Sequence, residues 1–372
     1  MPPLPPASVG IPLDEVDTPA LVLDLDALER NIARMADAVK GDSVRLRPHA
    51  KSHKCAEIAR RQIAAGAVGV CCQKVSEAEA LVWSGVADVL VTNEIVGRQK
   101  VERLARLARE AKVAVLADDA GNVGDLDAAA RAARVRLDVL VELNVGADRC
   151  GIAPGEPASR LAQRIAGCGS LRFAGLHAYH GSAQHLREAG ERRAAIAAAA
   201  EKARMTRTLI EKAGIACETV TGAGTGTFLL ESASRVFNEI QPGSYVFMDA
   251  DYNRNNWEEG WPRFEQSLFV LATVMSAPAP DRAVVDAGLK ASSVDSGLPQ
   301  VHGRPGVEYA KASDEHGVLN IAAGAKAPRL GEKLLLVPGH CDPTVNLYDW
   351  FVCVRKGKVE ALWPVTARGA LW

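Results

Sequence analysis

Over roughly its first two-thirds the chain alternates apolar strand-like runs with helix-like segments, and then the alternation stops. Apolar runs at 20–25, 44–47, 68–72, 88–92, 113–117, 137–145, 173–179 and 219–221 are each followed by a segment with apolar residues at helical spacing. The first such segment opens at Asp26, with Glu29 as a capping box, and continues through Leu28, Ile32, Met35 and Val39. The longest is alanine-rich, spans about 188–212 and stops at Gly214. About eight strand–helix units in about 235 residues is the count for an α/β fold of the (β/α)8 TIM-barrel type. An open doubly wound sheet is the other architecture with this alternation.

Past residue 264 the runs are short and β-rich, at 267–276, 282–287, 333–338, 350–355 and 358–365, with turn residues such as Lys356-Gly357 between them. That pattern predicts a second, mostly antiparallel β domain. The expected division is an N-terminal segment 1–27 packing with the β domain, a barrel over 28–263 and the β domain over 264–372. No internal repeat is visible.

Composition narrows the classes. The 372 residues are 48% hydrophobic and 24% charged with a formal net charge of −1. No basic surplus points to nucleic acid, and no apolar run is long enough to span a membrane. The proline-rich start, 1–10, has no basic region followed by an apolar core, so it reads as a flexible leader, not a signal peptide. The eight cysteines form no CxxC pair, and several lie inside apolar runs. Buried thiols in a reducing cytoplasm are expected, not disulfides.

Four constellations can carry chemistry. RPHAKSHK (47–54) ends an early barrel strand, on the face where such barrels place their chemistry. A lysine there, partly shielded and beside Arg47, His49 and Lys54, would have a lowered pKa and a nucleophilic free amine. Taken alone, the segment reads more readily as a solvated basic turn than as a cofactor anchor. TGAGTGT (221–227) follows a late strand, where barrels often hold phosphate, and its glycines let backbone approach an anion. It is neither a dinucleotide fingerprint nor a P-loop. QPGSY (241–245), with Gly243 and Ser244, is a second loop for the same group.

GHCDPT (339–344) closes an apolar run. In an extended strand His340 and Asp342 point the same way and Cys341 away. An imidazole–carboxylate pair suits Mn²⁺, Zn²⁺ or Mg²⁺ with open positions for water and substrate. A simple hydrogen-bonded pair is the plainer outcome. YHGSAQH (179–185) offers His180 or His185 as a base. Arg149, after the run at 137–145, can stack on or bond a planar anion. Asp314, in DEHG (314–317), lies in the β-rich part and is placed as a group facing the metal.

These motifs together resemble the D-threonine aldolase group of fold-type III pyridoxal-phosphate enzymes, the alanine-racemase-like class. Also matching are GVCCQKVSEAEA (69–80), GADRCG (146–151), GSYVFMDADY (243–252), VVDAGLK (284–290) and the extension of GHCDPT to residue 350. The resemblance covers nearly the whole chain, from Asp17 to Gly369. It implies that Lys51, not Lys54, is the Schiff-base lysine. It places Arg149 and Tyr179 beside the cofactor, and Gly224, Thr225, Gly243 and Ser244 at its phosphate. It gives His185 the β-hydroxyl proton, and His340 and Asp342 a divalent metal, manganese first. Asp314 and Gln73 would contact substrate or reach it through water. A homodimer with sites near the subunit interface is also implied.

The similar D-serine dehydratases carry cysteine at the position of Asp342 and prefer zinc, so the aspartate argues for retro-aldol cleavage of D-β-hydroxy-α-amino acids. The 3-hydroxy-D-aspartate aldolases share GHCDPT, so the side chain at Cβ stays open. Ala223 stands where a third glycine is common. A carrier barrel for pyridoxal phosphate lacks the β-rich part, and a metal hydrolase without the cofactor needs more ligands at strand ends.

Overall fold

The computed structural model describes residues 4–41 and 44–372. Of the expected leader at 1–10, residues 1–3 lie outside the described residues. From Pro6 onward the segment is tied down: Asp17 N–H donates to Pro6 O at 2.9 Å and Gly10 N–H to Val359 O at 2.8 Å. The flexible-leader expectation fails there because backbone pairing anchors the segment.

β1 (Ala20–Asp24) runs into a helix at Leu25–Val39. Asp24, not Asp26, caps it, accepting from Ala27 N–H at 3.0 Å. Two aspartates flank Leu25, and the one ahead of the buried leucine takes the cap.

Eight parallel strands follow: β2 (Arg45–Leu46), β3 (Val70–Cys72), β4 (Asp88–Glu94), β5 (Lys112–Ala117), β6 (Leu137–Glu142), β7 (Leu171–His177), β8 (Thr219–Gly222) and β9 (Glu239–Ile240). They pair in the order β2-β9-β8-β7-β6-β5-β4-β3. The ring closes between β2 and β3: Cys71 N–H donates to Pro48 O and Ala50 N–H to Cys71 O, at 2.8 and 2.7 Å. This is the expected barrel with one exchange of members. The run at 20–25 is not a barrel strand, and two-residue β9, too short to show a period, is.

The second sheet contains β10 (Leu268–Ala279), β11 (Arg282–Val285), β12 (Gln300–Val301), β13 (Val307–Ala312), β14 (Gly317–Ile321), β15 (Lys333–Val337), β16 (Trp350–Arg355) and β17 (Lys358–Pro364). It is mostly antiparallel. β1 lies inside it, antiparallel to β10 and parallel to β16. One core packs barrel strands against outer helices, with Val89, Val115, Leu104, Leu126 and Ile165 fully buried. Another joins the helix Leu25–Val39 to the second sheet through Leu21, Leu28, Met35, Phe247 and Phe351. Each such side chain contributes about 1.5–3 kcal/mol. Among the described residues no helix is long and apolar enough to cross a membrane.

The barrel interior is layered. Cys71, Leu90, Leu116, Leu140 and Ala174 form a thin apolar layer. Below it, toward the strand N-termini, lie Arg47, Asp88, Asp138, Arg172 and Glu239; above it lie Thr92, Glu142, His177 and Thr221. Alternation explains this, since Asp88, Leu90 and Thr92 share one face of β4, and Asp138, Leu140 and Glu142 one face of β6. β7 breaks phase. Its pairing jumps from Val139–Phe173 to Leu140–Gly175, so one residue is extra. The slip turns His177 inward in place of Leu176. Gly175 sits at φ +139°, and a Cβ there would stand 1.9 Å from Thr219 O, so no larger residue fits.

Candidate active site

The strand C-termini open into a cleft of about 530 Å³. His49, Lys51, Gln73, Arg149, His177, Tyr179, Gly224, Thr225, Gly243 and Ser244 line it. A neighbouring cleft of about 780 Å³ shares Lys51, Arg149, Tyr179 and Ser244 and adds His185, His340 and Asp342. The expected amine, both glycine-bearing loops and the His/Asp pair thus meet at one mouth.

Lys51 sits in the turn after β2, its side chain 40% exposed, with Nζ donating to Asp342 Oδ2 at 2.5 Å. Its electrostatics differ from expectation. Burial alone would lower its pKa, but the Asp342 carboxylate outweighs burial and holds the ammonium above the ordinary lysine value. The cations expected nearby are engaged elsewhere. Arg47 lies below the apolar layer, donating to Glu239 Oε1 at 3.1 Å and Asp88 Oδ1 at 2.7 Å. Lys54, turned by a φ of +50°, pairs with Glu77 at 2.5 Å. His49 is a neutral imidazole. Burial, then the Lys51 charge, push its pKa well down. Its Nδ1 accepts from Lys51 N–H at 3.3 Å, and its Nε2 faces Thr92 Oγ1 at 2.9 Å and Gln73 Nε2 at 3.0 Å. Gln73 therefore holds His49 in place.

The two late loops form one wall. Thr225 Oγ1 accepts from Tyr245 N–H at 3.0 Å, and Gln184 Oε1 from Gly226 N–H at 3.0 Å. A Cβ on Gly224 would lie 2.6 Å from Gln184 Oε1, and one on Gly243 would lie 2.6 Å from Ser52 Oγ. Among the described residues no protein acceptor takes the N–H groups of Gly224, Thr225, Gly243 and Ser244. Free amides beside glycines that exclude side chains fit an anion with several oxygens. Ala223 adopts φ +71°, a conformation that favours glycine. A phosphorylated aldehyde fits this wall together with the Lys51 amine.

His340 and Asp342 do reach one cleft, but not by strand alternation. β15 ends at Val337, and Cys341–Val345 is a helical turn preceded by His340. Cys341 is buried, its N–H donating to Asp249 Oδ2 at 2.9 Å. His340 Nδ1 lies 2.8 Å from Asp295 Oδ2, which orients the ring. Burial works to raise the Asp342 pKa; Lys51 and then His340 outweigh it and keep the group well below the carboxylate range. Among the described residues no group of three or more His, Cys, Asp or Glu side chains could hold a metal ion. One imidazole and one carboxylate suit an open cation site completed by water or substrate, not a structural zinc site. The Lys51 ammonium already shows that positive charge is held against Asp342.

Arg149 lies over the Tyr179 ring at 5.9 Å. His185 ends a short turn (Ser182–His185), with Nδ1 2.5 Å from Asp251 Oδ2. Asp314 is not brought to the cleft. It is exposed, its carbonyl accepting from Lys290 N–H at 3.0 Å, while neighbouring Glu315 pairs with Lys290 Nζ at 2.6 Å. The turn between β13 and β14 carries the DEHG motif into solvent.

Sequence reasoning missed His177, Asp251 and the buried acid Glu142, and had Gln241 only as part of the 241–245 loop, not as a partner of His177. His177 Nε2 faces Gln241 Oε1 at 3.2 Å, and burial lowers its pKa to about 4. Burial and Glu94 raise the Glu142 pKa to about 9. Alternation along β4 and β6 was a usable signal for Thr92 and Glu142. The slip in β7 hid His177.

Residues 23–251 match the alanine racemase N-terminal domain family, and residues 267–354 match the D-serine dehydratase domain. A D-threonine aldolase of Arthrobacter sp. is 50% identical over 365 residues, covering 98% of this chain and 96% of that protein. A 3-hydroxy-D-aspartate aldolase of Paracoccus denitrificans (strain Pd 1222) is 49% identical over 370 residues, covering 98% and 95%. The crystal structure of D-threonine aldolase from Filomicrobium marinum superposes with a TM-score of 0.97 at 53% identity, covering 99% of this chain and all of that one.

Proposed function

Because the chain belongs to the alanine racemase N-terminal domain family, in a branch that adds a D-serine dehydratase domain, we propose that it is an aldehyde-lyase cleaving D-β-hydroxy-α-amino acids, with D-threonine giving glycine and acetaldehyde. The observation that carries this is the contact between Lys51 and Asp342, which joins the amine to the cation-type pair in one cleft. Identity over nearly the full length to aldolases supports it.

Lys51 is read as the amine that takes the aldehyde of pyridoxal phosphate. Gly224, Thr225, Gly243 and Ser244 would hold its phosphate, with Arg149 and Tyr179 beside the ring. His340 and Asp342 would hold a divalent cation, manganese before magnesium or zinc. When bound, the cofactor supplies an electron sink for Cα–Cβ cleavage and the cation polarises the β-hydroxyl. The chain does the rest. His185 takes the β-hydroxyl proton at the outer rim. In the protein without cofactor Asp342 holds the Lys51 ammonium in the cleft; Nζ gives up a proton before it takes the aldehyde, and the amine is free again once the substrate's amine has replaced it. Lys51 then returns a proton to Cα. Arg149 makes no salt bridge among the described residues, although its charge acts on buried Glu142, and it lines the cleft where a substrate anion would sit.

That cation also suits the second carboxylate of 3-hydroxy-D-aspartate, which keeps that substrate as the second reading. On the family resemblance the working form is a cytoplasmic homodimer, which would sediment at about twice 39.5 kDa. The test of the cofactor assignment is Lys51→Ala. It should lose both the visible absorbance of bound cofactor and all turnover; a variant that keeps both refutes the assignment.

A further inference from the structure

His185 is not an isolated imidazole. Its Nδ1 lies 2.5 Å from Asp251 Oδ2, and the Asp251 side chain is only 5% exposed. The other carboxylate oxygen, Oδ1, accepts from both Arg187 Nη2 and Arg254 Nη2. Arg187 Nη1 also donates to Asp251 O at 2.8 Å and Asn255 Oδ1 at 2.7 Å. Asp251 N–H donates to Gly339 O at 3.2 Å, next to His340. One residue therefore ties the His185 turn to the segment carrying His340 and Asp342.

We propose that Asp251 is the positioning residue for His185, fixing its tautomer and its placement, and that Arg187 and Arg254 hold Asp251 for that role. The inference rests on the reading of His185 as the β-hydroxyl base. A carboxylate at Nδ1 makes the neutral ring carry its proton there and leaves the Nε2 lone pair as the only basic site. Asp251 can play this part because it stays ionised: burial works to raise its pKa, but Arg187, Arg254 and His185 hold it below the ordinary range. The two guanidiniums on the far oxygen keep the carboxylate itself in place. The other groups around the ring are Tyr252, with ring centroids 5.4 Å apart, and Lys51, Arg149, Tyr179, His340 and Asp342 across the cleft.

The test uses the enzyme loaded with pyridoxal phosphate and Mg²⁺, with two variants and two readouts. Asp251→Asn presents an amide N–H to Nδ1 or leaves it unpaired, so kcat should fall by about two to four orders of magnitude, by analogy with the protease aspartate whose amide forces the wrong tautomer. Its residual kcat/KM should have the acid limb at lower pH. Arg254→Gln removes one of the two guanidiniums on Oδ1 but leaves the carboxylate, so kcat should fall less than in Asp251→Asn and the Nδ1 tautomer should persist. Nitrogen NMR of ¹⁵N-histidine protein, with His185 identified by its absence in His185→Gln, should show protonated Nδ1 in the neutral ring of the wild type and not in Asp251→Asn. A purely structural role predicts lower thermal stability with unmoved limbs and an unchanged tautomer, and that result overturns the proposal. If the wild type itself cleaves no D-β-hydroxy-α-amino acid, the function has failed; the NMR tautomer still decides whether Asp251 positions the ring.

Discussion

The two ends of the barrel are built from similar residue types and differ in how their charges are met. At the strand N-termini, Arg47 is shared between Asp88 and Glu239, Lys112 reaches Asp88 at 2.9 Å, and Arg172 binds Asp138 at 2.5 Å and Glu218 at 2.9 Å. Four cations (with Arg45) face four anions, and the end is closed by its own pairs. At the strand C-termini, among the described residues, Arg149 makes no salt bridge, the N–H groups of Gly224, Thr225, Gly243 and Ser244 have no acceptor, His177 Nδ1 is buried without a hydrogen bond 3.8 Å from Glu142, and burial and Glu94 push the Glu142 pKa up to about 9. Groups left unmet inside a protein cost stability unless something else meets them. The end with unmet groups is the end we propose to bind cofactor and substrate.

That contrast can be broken by substitution. The largest effect is expected at the closed end. Arg47→Met leaves Glu239 only Arg45 at 3.5 Å and Asp88 only Lys112 at 2.9 Å, and should cost up to about 3 kcal/mol of stability. Cleavage per folded molecule should be unchanged at 25 °C. Denaturant melts beside active-site titration check this; a loss of specific activity would mean the two ends are coupled.

At the open end, Asp342→Ala should do the reverse. Turnover should fall at least about 100-fold, equivalent to about 2.7 kcal/mol of barrier, with cofactor absorbance retained and metal no longer stimulating. If chelation leaves the wild-type rate unchanged, His340 and Asp342 are not a metal pair.

The ends should also separate in pH. His49, His53 and His177 at the open end are buried and neutral, with pKa values depressed by burial, to about 4 for His53 and His177. In the unfolded chain each titrates near 6.5. Between those values the unfolded state binds more protons, so their contribution is present above about pH 6.5 and is lost as pH falls toward 4. The melting temperature should decline over that window, and His53→Gln should flatten the decline. A flat wild-type profile would contradict the neutral state of these rings.

The smallest effect is at Ala223, strained at φ +71°. Glycine there relieves about 1 kcal/mol of left-handed strain but loses one buried methyl worth about 0.8 kcal/mol. The melting temperature should shift by no more than a few degrees, checked by calorimetry.

The barrel was legible because seven of its strands lie in apolar runs long enough to show in the sequence. β9 was not, because two residues carry no period, and β1 was miscounted because strand propensity does not say which sheet a strand joins. Lys51, the glycine loops and the His340/Asp342 pair were legible from residue type at strand ends. Their electrostatics were not: whether Arg47 lies above or below an apolar layer depends on strand register, and the Asp342 partner of Lys51 is 291 positions away. His177 was hidden by one extra residue in β7. The solvent-facing position of Asp314 was not legible, because residue type does not say which way a β-turn projects.

The measurement that bears most directly on the account is product analysis of the purified protein with D-threonine, pyridoxal phosphate and Mn²⁺, run beside D-3-hydroxyaspartate. Glycine and acetaldehyde in equal amounts, abolished by Lys51→Ala and by chelator, is the predicted result. A 2-oxo acid with ammonia, or the opposite enantiomer with no aldehyde, would contradict it.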